Sequence, residues 1–131
     1  MKELVLYAKQ VNWGLVRAGD WTGTIWRVYD DRSVKIEYSY NPTWKDVEED
    51  HWPITKKRIE KYSRTISKPN FQTLLETISL PVDNTDVDAC DGDAWEFIAY
   101  QGDEVSWKRS LGYIYGVKIY ETIASLLPRV N

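Results

Sequence analysis

The feature that most constrains the fold of this chain is a strict alternation of apolar and polar side chains over residues 33–40. The segment reads Ser-Val-Lys-Ile-Glu-Tyr-Ser-Tyr, and a period of two is typical of a β-strand with one buried face. Residues 25–29 are rich in β-branched and aromatic side chains, and the polar residues 30–32 between the two segments suit a tight turn. The pattern therefore predicts a β-hairpin.

A second hairpin is predicted in residues 95–116. Two sets of side chains alternate along its first strand: Trp95, Phe97 and Ala99 on one face, and Glu96, Ile98 and Tyr100 on the other. A turn at Gln101-Gly102-Asp103 leads to a second strand that closes at Gly116. One face of that strand is expected to carry Trp107, Arg109, Leu111, Tyr113 and Tyr115.

Two helices are predicted from apolar side chains at helical spacing. The first begins after Ser67, which suits the N-cap, has Pro69 in its first turn and is ended by Pro81. Its apolar face is expected to hold Phe71, Leu74, Leu75 and Ile78. The second helix presents Ile119, Ile123, Leu126 and Leu127 before Pro128 stops it.

Two segments fit more than one structure. Residues 2–17 fit either a helical stripe or a strand. Residues 54–67 have apolar side chains at helical spacing and also alternate like an edge strand, and we favour the strand because a helical pattern begins immediately afterwards. Basic side chains in this segment either form a small anion-binding stripe or protect an exposed sheet edge from pairing with other chains, and we favour edge protection. They are Lys56, Lys57, Arg58, Lys61 and Arg64, interleaved with Ile59 and Tyr62. Residues 41–53 are predicted to form a loop.

The order of these elements predicts an α+β fold, an antiparallel sheet of about five to six strands with two helices packed on one face. A chain of 131 residues fits a single domain, residues 1–131. Hydrophobic residues make up 43% of the chain, which is enough apolar surface to fold without disulfides or metals.

Composition and segment lengths indicate the cellular compartment and exclude some classes of partner. Cys90 is the only cysteine, so an intrachain disulfide is excluded. The apolar stretch at residues 4–7 is too short for a signal-peptide core, and no stretch approaches the ~20 apolar residues that span a bilayer. We therefore expect a cytoplasmic protein with no membrane partner. The formal net charge of −3 argues against a dedicated nucleic-acid binder, which usually has a basic surface.

The sequence holds little of the machinery that catalysis uses. His51 is the only histidine, and Cys90 is flanked by aspartates that disfavour a thiolate. One histidine and one cysteine do not supply the four ligands of a structural zinc site. No Gly-rich phosphate loop follows a predicted strand. We expect a protein that is not an enzyme and that uses no cofactor or metal.

Residues 83–93 hold five aspartates and no basic side chain. Aligned from Asp86 as an EF-hand loop, the segment has Cys90 at the fifth position and Phe97 where the bidentate glutamate belongs, so the match fails. Three interpretations stay open. The segment is a solvated loop that leads into a strand, a recognition patch for a cationic partner or a loose metal site.

Seven Trp and nine Tyr stand against only two Phe. Tryptophan and tyrosine carry a polar group on a large ring, which favours them where one edge meets water or a partner. Such rings serve a protein interface, or a carbohydrate-binding face that uses Trp13, Trp21 or Trp26. A core filled with large side chains is the alternative.

Residues 90–128 carry three short motifs: Cys90-Asp91-Gly92-Asp93-Ala94-Trp95-Glu96-Phe97, Gly112-Tyr113-Ile114-Tyr115-Gly116 and Leu126-Leu127-Pro128. This pattern resembles one found in small uncharacterised bacterial proteins, some of which resemble immunity proteins of polymorphic toxin systems. The motifs mark a turn, a hairpin and a helix, so the resemblance bears on the fold, and no catalytic residue is carried over. It implies a non-enzymatic protein whose partner is a toxin.

The sequence therefore predicts a non-enzymatic protein-binding module, most concretely a toxin-neutralising immunity protein that binds a basic toxin domain. Carboxylates would steer the basic partner, while aromatic side chains would slow its dissociation. The predicted partner-binding residues are Asp86, Asp88, Asp91, Asp93, Trp44 and Trp52. The alternative is a small-ligand or carbohydrate binder that uses Trp and Tyr on a sheet face. An enzyme with an unorthodox site at His51 or at an aspartate pair is a third hypothesis.

Overall fold

The computed structural model describes residues 2–12, 21–40, 58–81, 93–112, 114 and 117–129. The strands in these ranges are β1 (Leu4–Asn12), β2 (Trp21–Tyr29), β3 (Ser33–Tyr40), β4 (Arg58–Thr65), β5 (Asp93–Gln101) and β6 (Glu104–Leu111). The helices are α1 (Lys68–Ile78) and α2 (Lys118–Leu126). Neither of these two described helices is long and apolar enough to cross a membrane.

The six strands form one antiparallel sheet in the order β4-β3-β2-β1-β5-β6. The prediction of an antiparallel sheet combined with two helices is thus confirmed. Both ambiguous segments contain strands. In the middle of the sheet β1 lies between β2 and β5, and Leu6, Ala8 and Gln10 are buried at a period of two. At one edge lies β4, the edge strand favoured from the sequence.

The two hairpin turns adopt the left-handed backbone that such turns require. Arg32 has a φ of 72°, and its backbone N–H donates to the Tyr29 carbonyl at 3.0 Å. The Asp31 carboxylate supports this turn because it accepts from the backbone N–H of Ser33 at 2.9 Å. In the second hairpin, Gly102 has a φ of 63° between β5 and β6. Both predicted turns are confirmed.

The second strand of the C-terminal hairpin is shorter than predicted. It ends at Leu111, and Gly112 follows directly, a residue whose missing side chain weakens a strand. Ile114 is buried in the core outside the strand. Tyr113 and Tyr115, which were expected to continue the face of this strand, lie outside the described residues.

Helix α1 follows its local sequence closely. The Ser67 hydroxyl accepts from the Asn70 N–H at 3.4 Å and caps the helix, and Pro69 occupies the first turn. Leu74 and Ile78 are buried, as the apolar stripe predicts. The helix ends three residues before Pro81, in agreement with the sequence.

The predicted apolar stripe of helix α2 faces the core, and Tyr120 is added to it. Ile123 and Leu127 are buried as predicted, and Ile119 and Leu126 are partly buried against the core. Tyr120, which was not predicted on this face, is fully buried. The Tyr120 ring stacks on Phe97 of β5 with 5.6 Å between ring centroids. This large ring therefore joins the aliphatic stripe in the contact with the sheet.

The core joins alternate residues of the strands to residues of both helices. A row of stacked rings runs through it, with centroids 5.7 Å apart for Trp26 and Trp95 and 5.4 Å apart for Trp95 and Phe97. Tyr120 of α2 continues this row, and Leu74 of α1 belongs to the same buried cluster. Part of the aromatic surplus therefore serves the core.

One end of the sheet receives the long connections of the chain. Tyr40 of β3 pairs there with Trp21 of β2 and with Arg58 of β4, and Asn12 of β1 pairs with Asp93 of β5. Three long segments connect to strands at this end: residues 13–20, 41–57 and 82–92. The two hairpin turns lie at the opposite end. We call the first of these the Trp21 end of the sheet.

Candidate functional site

Three aromatic side chains lie side by side at the Trp21 end of the sheet. The ring centroids of Trp21 and Tyr38 are 6.5 Å apart, and those of Tyr38 and Tyr40 are 6.3 Å apart. All three side chains are half-buried, so each is partly packed and partly exposed. Because they stand on the paired strands β2 and β3, the backbone hydrogen bonds of the sheet fix their positions.

A β-bulge in β2 brings Trp21 to the same face as the two tyrosines. Trp21 pairs with Tyr40 and Gly23 pairs with Ser39, so Thr22 is an extra residue in β2. The Thr22 hydroxyl donates to Ser39 Oγ at 3.0 Å, and the Ser39 hydroxyl donates to the Gly23 carbonyl at 3.1 Å. These hydrogen bonds hold the bulge and with it the position of Trp21.

The residues that follow the bulge hold Trp21 further. The indole N–H of Trp21 donates to Thr24 Oγ1 at 2.8 Å. At Gly23 the neighbouring strand β1 comes so close that a Cβ would lie 2.9 Å from the Gln10 carbonyl oxygen. Only glycine fits such an approach without a shift of the backbone. The sequence Trp21-Thr22-Gly23-Thr24 therefore builds this corner of the sheet.

The edge strand β4 adds a carboxylate and a further ring. Glu60 pairs with Tyr38; the Tyr40 hydroxyl donates to Glu60 Oε1 at 3.3 Å, and the Tyr62 hydroxyl donates to Glu60 Oε2. The hydrogen bond to Glu60 raises the pKa of Tyr62. Burial, followed by the charge of Glu60, raises the pKa of Tyr38. We call Trp21, Tyr38, Tyr40, Glu60 and Tyr62 the aromatic surface.

A pocket of about 340 Å³ opens beside the aromatic surface. Its walls are formed by Gln10, Trp21, Thr24, Trp26, Ile36, Tyr38, Pro128 and Arg129. The chain after α2 closes one side, because Trp26 Nε1 donates to the Pro128 carbonyl at 2.7 Å and Arg129 Nη1 donates to Gln10 Oε1 at 3.4 Å. Rings, an amide, a hydroxyl and a guanidinium together can hold a small polar ligand.

The predicted partner-binding residues fall almost entirely outside the described residues. This holds for Trp44, Trp52, Asp86, Asp88 and Asp91, and also for His51, Cys90 and Trp13. Only the backbone of Asp93 is described, where it begins β5 opposite Asn12. Chain connectivity attaches segments 41–57 and 82–92, which contain the other five predicted partner-binding residues, to strands at the Trp21 end.

The two described tryptophans that were named for a carbohydrate face differ in exposure. Trp26 is 1% exposed and belongs to the core, so it is not available as an open platform. Trp21 is half-buried and lines the pocket. Glu60 was not predicted from the sequence as a site residue, and Tyr62 was named only within the basic stripe of residues 56–64. The available signal was their alternation in an edge strand, which places both on one face of β4.

The opposite face of the sheet carries charges that are paired with one another. Arg27 Nη1 lies 3.4 Å from Glu37 Oε2, and the Arg27 guanidinium lies 5.6 Å from the Tyr7 ring centroid. Burial, followed by the charge of Glu96, raises the pKa of Tyr7. On this face a ring lies against the cation of an ion pair, whereas on the aromatic surface three tyrosine rings lie around the Glu60 carboxylate.

Among the described residues, no group of three or more side chains is arranged to hold a metal ion. No family model, curated protein or solved structure matches this chain. The chemistry of the aromatic surface and of the pocket therefore carries the functional assignment.

Proposed function

We propose that this chain is a non-enzymatic protein-binding module, most concretely an immunity protein that neutralises a basic toxin domain in the cytoplasm. One observation carries the proposal: the half-buried rings of Trp21, Tyr38 and Tyr40 lie side by side at the sheet end to which segments 41–57 and 82–92 attach. Tryptophan and tyrosine are enriched among the residues that dominate binding energies, because each buries a large area at a low cost in side-chain entropy.

Charge supports a cationic partner. Residues 83–93 hold five aspartates and no basic side chain, and the aromatic surface contains Glu60. Attraction between opposite charges speeds the encounter of two proteins, whereas well-packed rings slow their separation. The proposal therefore keeps Asp86, Asp88, Asp91, Asp93, Trp44 and Trp52 as partner-binding residues beside the aromatic surface.

We also propose that both helices pack on one face of the sheet, over its β1-β5-β6 half. Two contacts support this arrangement. Trp107 Nε1 of β6 donates to the Ile78 carbonyl of α1 at 2.9 Å, and Phe97 of β5 stacks on Tyr120 of α2. The aromatic surface lies on β2, β3 and β4 instead, so in this arrangement the two helices do not cover it.

The test is a pull-down from the cells that contain this protein, with the tagged full chain as bait. A Trp21→Ala/Tyr40→Ala double variant is compared with the unchanged chain. Tyr29→Ala is the matched control, since Tyr29 is also a half-buried ring on β2 and its position alternates with the buried Val28. We expect one specific partner, lost with the double variant and retained by the control. Thermal unfolding verifies that each variant is folded.

The recovered partner is then expressed alone and together with this chain. Growth arrest by the partner, relieved by co-expression, would identify a toxin and its immunity protein. The proposal fails if no specific partner is recovered, or if the double variant retains the partner as well as the unchanged chain does. A partner that is bound but is not toxic would keep the binding function and remove the immunity assignment.

A small-ligand or carbohydrate binder is the second candidate, and the pocket beside Trp21 favours it. Sugars and nucleotides are titrated into the full chain while tryptophan fluorescence is recorded. This function predicts a saturable change that is weakened by Arg129→Ala, because Arg129 lines the pocket. Lys118→Ala removes the same charge from an exposed residue of α2 and serves as the control. No change with any ligand would exclude this candidate for the compounds tested.

A further inference from the structure

The aromatic surface has a carboxylate at its centre. Glu60 is exposed on β4 and pairs directly with Tyr38 on β3. The hydroxyls of Tyr40 and Tyr62 donate to its two oxygens, one to each. A carboxylate oxygen accepts more than one hydrogen bond, so both oxygens keep capacity for a further donor. The two tyrosines therefore orient the carboxylate and leave acceptor positions on both of its oxygens for a further donor.

No described side chain forms an ion pair with Glu60. Among the side chains that the structure describes, the cation on the same face of β4 is Arg64, which donates to the Ser63 carbonyl at 2.9 Å and lies 5.5 Å from the Tyr62 ring centroid. Arg58 begins the same face of β4, and its side chain lies outside the described part of the chain. On the opposite face, by contrast, Glu37 is paired with Arg27. Glu60 is thus an oriented carboxylate to which no described side chain supplies a cation.

The rings around Glu60 also favour a cation. The face of an aromatic ring carries negative electrostatic potential, and a cation within about 6 Å of the ring centroid is attracted to it. Tyr38 and Tyr40 are tilted by 44° to each other at 6.3 Å. The Arg64 guanidinium on Tyr62 already shows this type of contact within the surface. A neutral group would gain neither this attraction nor the charge of the carboxylate.

We propose that the aromatic surface binds a cationic side chain of the partner, an arginine guanidinium or a lysine ammonium. The cation pairs with the Glu60 carboxylate and lies against the rings of Tyr38, Tyr40 and Tyr62. This inference rests on the proposed function and names the chemistry by which the surface recognises a basic protein. Steering by the net charge of residues 83–93 acts over a longer range and does not depend on this contact.

The test titrates the isotope-labelled full chain with N-acetyl-arginine amide and, separately, with its neutral isostere N-acetyl-citrulline amide. We expect saturable chemical-shift changes at Tyr38, Tyr40 and Tyr62 with the arginine compound and none with the citrulline compound. Glu60→Gln is expected to weaken binding about threefold to tenfold. Glu104→Gln removes one negative charge from an exposed position of β6 and is expected to leave the affinity unchanged.

Three results would overturn the inference: equal responses to the two compounds, equal affinity in Glu60→Gln and the unchanged chain, or a response confined to other residues. Nuclear magnetic resonance spectra and thermal unfolding show whether each variant is folded. Glu60→Asp, which keeps the charge on a shorter side chain, is the second variant. It is expected to retain a larger part of the affinity than Glu60→Gln does.

Binding of the pull-down partner by the variants distinguishes a failure of this inference from a failure of the proposed function. If Glu60→Gln binds that partner as tightly as the unchanged chain while Trp21→Ala/Tyr40→Ala does not bind it, the cation contact is wrong and the binding function stands. If no partner is recovered at all, the proposed function itself fails. If Glu60→Gln binds the partner more weakly and the Glu104→Gln control binds it unchanged, the result supports both the cation contact and the proposed binding function.

Discussion

The indole N–H of Trp26 donates to the backbone carbonyl of Pro128 at 2.7 Å and so joins the sheet to the chain that follows α2. The Trp26 ring stacks on Trp95 with 5.7 Å between centroids, and the Arg129 guanidinium lies 5.2 Å from the Trp26 ring centroid. Trp26 also lines the pocket beside the aromatic surface. The same side chain therefore supports the core and one wall of the pocket.

We predict that Trp26→Phe lowers the free energy of unfolding by about 2–4 kcal/mol. The change removes the N–H donor from a residue that is 1% exposed, leaves the Pro128 carbonyl without that donor and opens a void beside Trp95. Urea denaturation measures the loss. Trp21→Phe is the control, because Trp21 is half-buried, and it is expected to cost about 1 kcal/mol or less. Equal losses would contradict the central role of Trp26.

Gly23→Ala is expected to destabilise the protein by about 1–3 kcal/mol, because the new Cβ would meet the Gln10 carbonyl oxygen at 2.9 Å. Gly102→Ala is the matched comparison. There the Cβ meets nothing within 4 Å, and the cost is that of a left-handed φ of 63°, about 1 kcal/mol. Thermal unfolding of both variants checks the order. A smaller loss of stability in Gly23→Ala than in Gly102→Ala would mean that the β1 backbone shifts at low cost to accommodate the new Cβ.

Tyr62 is expected to titrate above its ordinary pKa of 10.0, because its hydroxyl donates to Glu60. A pKa that is higher in the folded state than in the unfolded state adds stability that is complete below pH 10.0 and is lost as pH rises through the folded value. Glu60→Gln removes the charge and is expected to lower the Tyr62 pKa. Nuclear magnetic resonance of the Tyr62 ring checks this. A pKa that stays the same in Glu60→Gln speaks against the hydrogen bond.

Asp31 is expected to titrate below its ordinary pKa of 3.8, because the Ser33 hydroxyl and then the Ser33 backbone N–H donate to its carboxylate. A pKa that is lower in the folded state adds stability that is present above pH 3.8 and is lost as pH falls through the folded value. Ser33→Ala is expected to raise the Asp31 pKa. Ser63→Ala, which changes a serine on β4, is the control and is expected to leave it unchanged. Carboxyl resonances followed through an acid titration decide between these outcomes.

Local patterns were enough to predict the first hairpin and α1, because alternation, turn residues and the Ser67 cap act over a few neighbouring residues. Residues 2–17 stayed ambiguous because strand partners elsewhere in the chain determine whether this segment is a strand or a helix. There β1 is a strand that pairs with β2 on one side and with β5 on the other, and no local pattern contains those partners. The burial of Tyr120 on α2 likewise depends on a distant contact, its stacking on Phe97.

The aromatic surface depends on register, which local patterns do not specify. Tyr40 reaches Glu60 because β3 and β4 pair in one register, and a slip by one residue would turn Glu60 to the opposite face. The Thr22 bulge, which sets the position of Trp21, is equally a property of the pairing of β2 with β3. The binding residues predicted from sequence lie in segments 41–57 and 82–93, where alternation gives no guidance, and they stay a prediction.

The position of β1 makes the two halves of the chain dependent on each other. Ala8 pairs with Trp26 from the first half and with Phe97 from the second. A fragment that ended at Thr65 would expose the hydrogen-bonding edge of β1 and lack the rings that cover its buried side chains, which invites aggregation. Refolding is expected to be slow, because the contact of β1 with β5 closes the longest loop in the sheet.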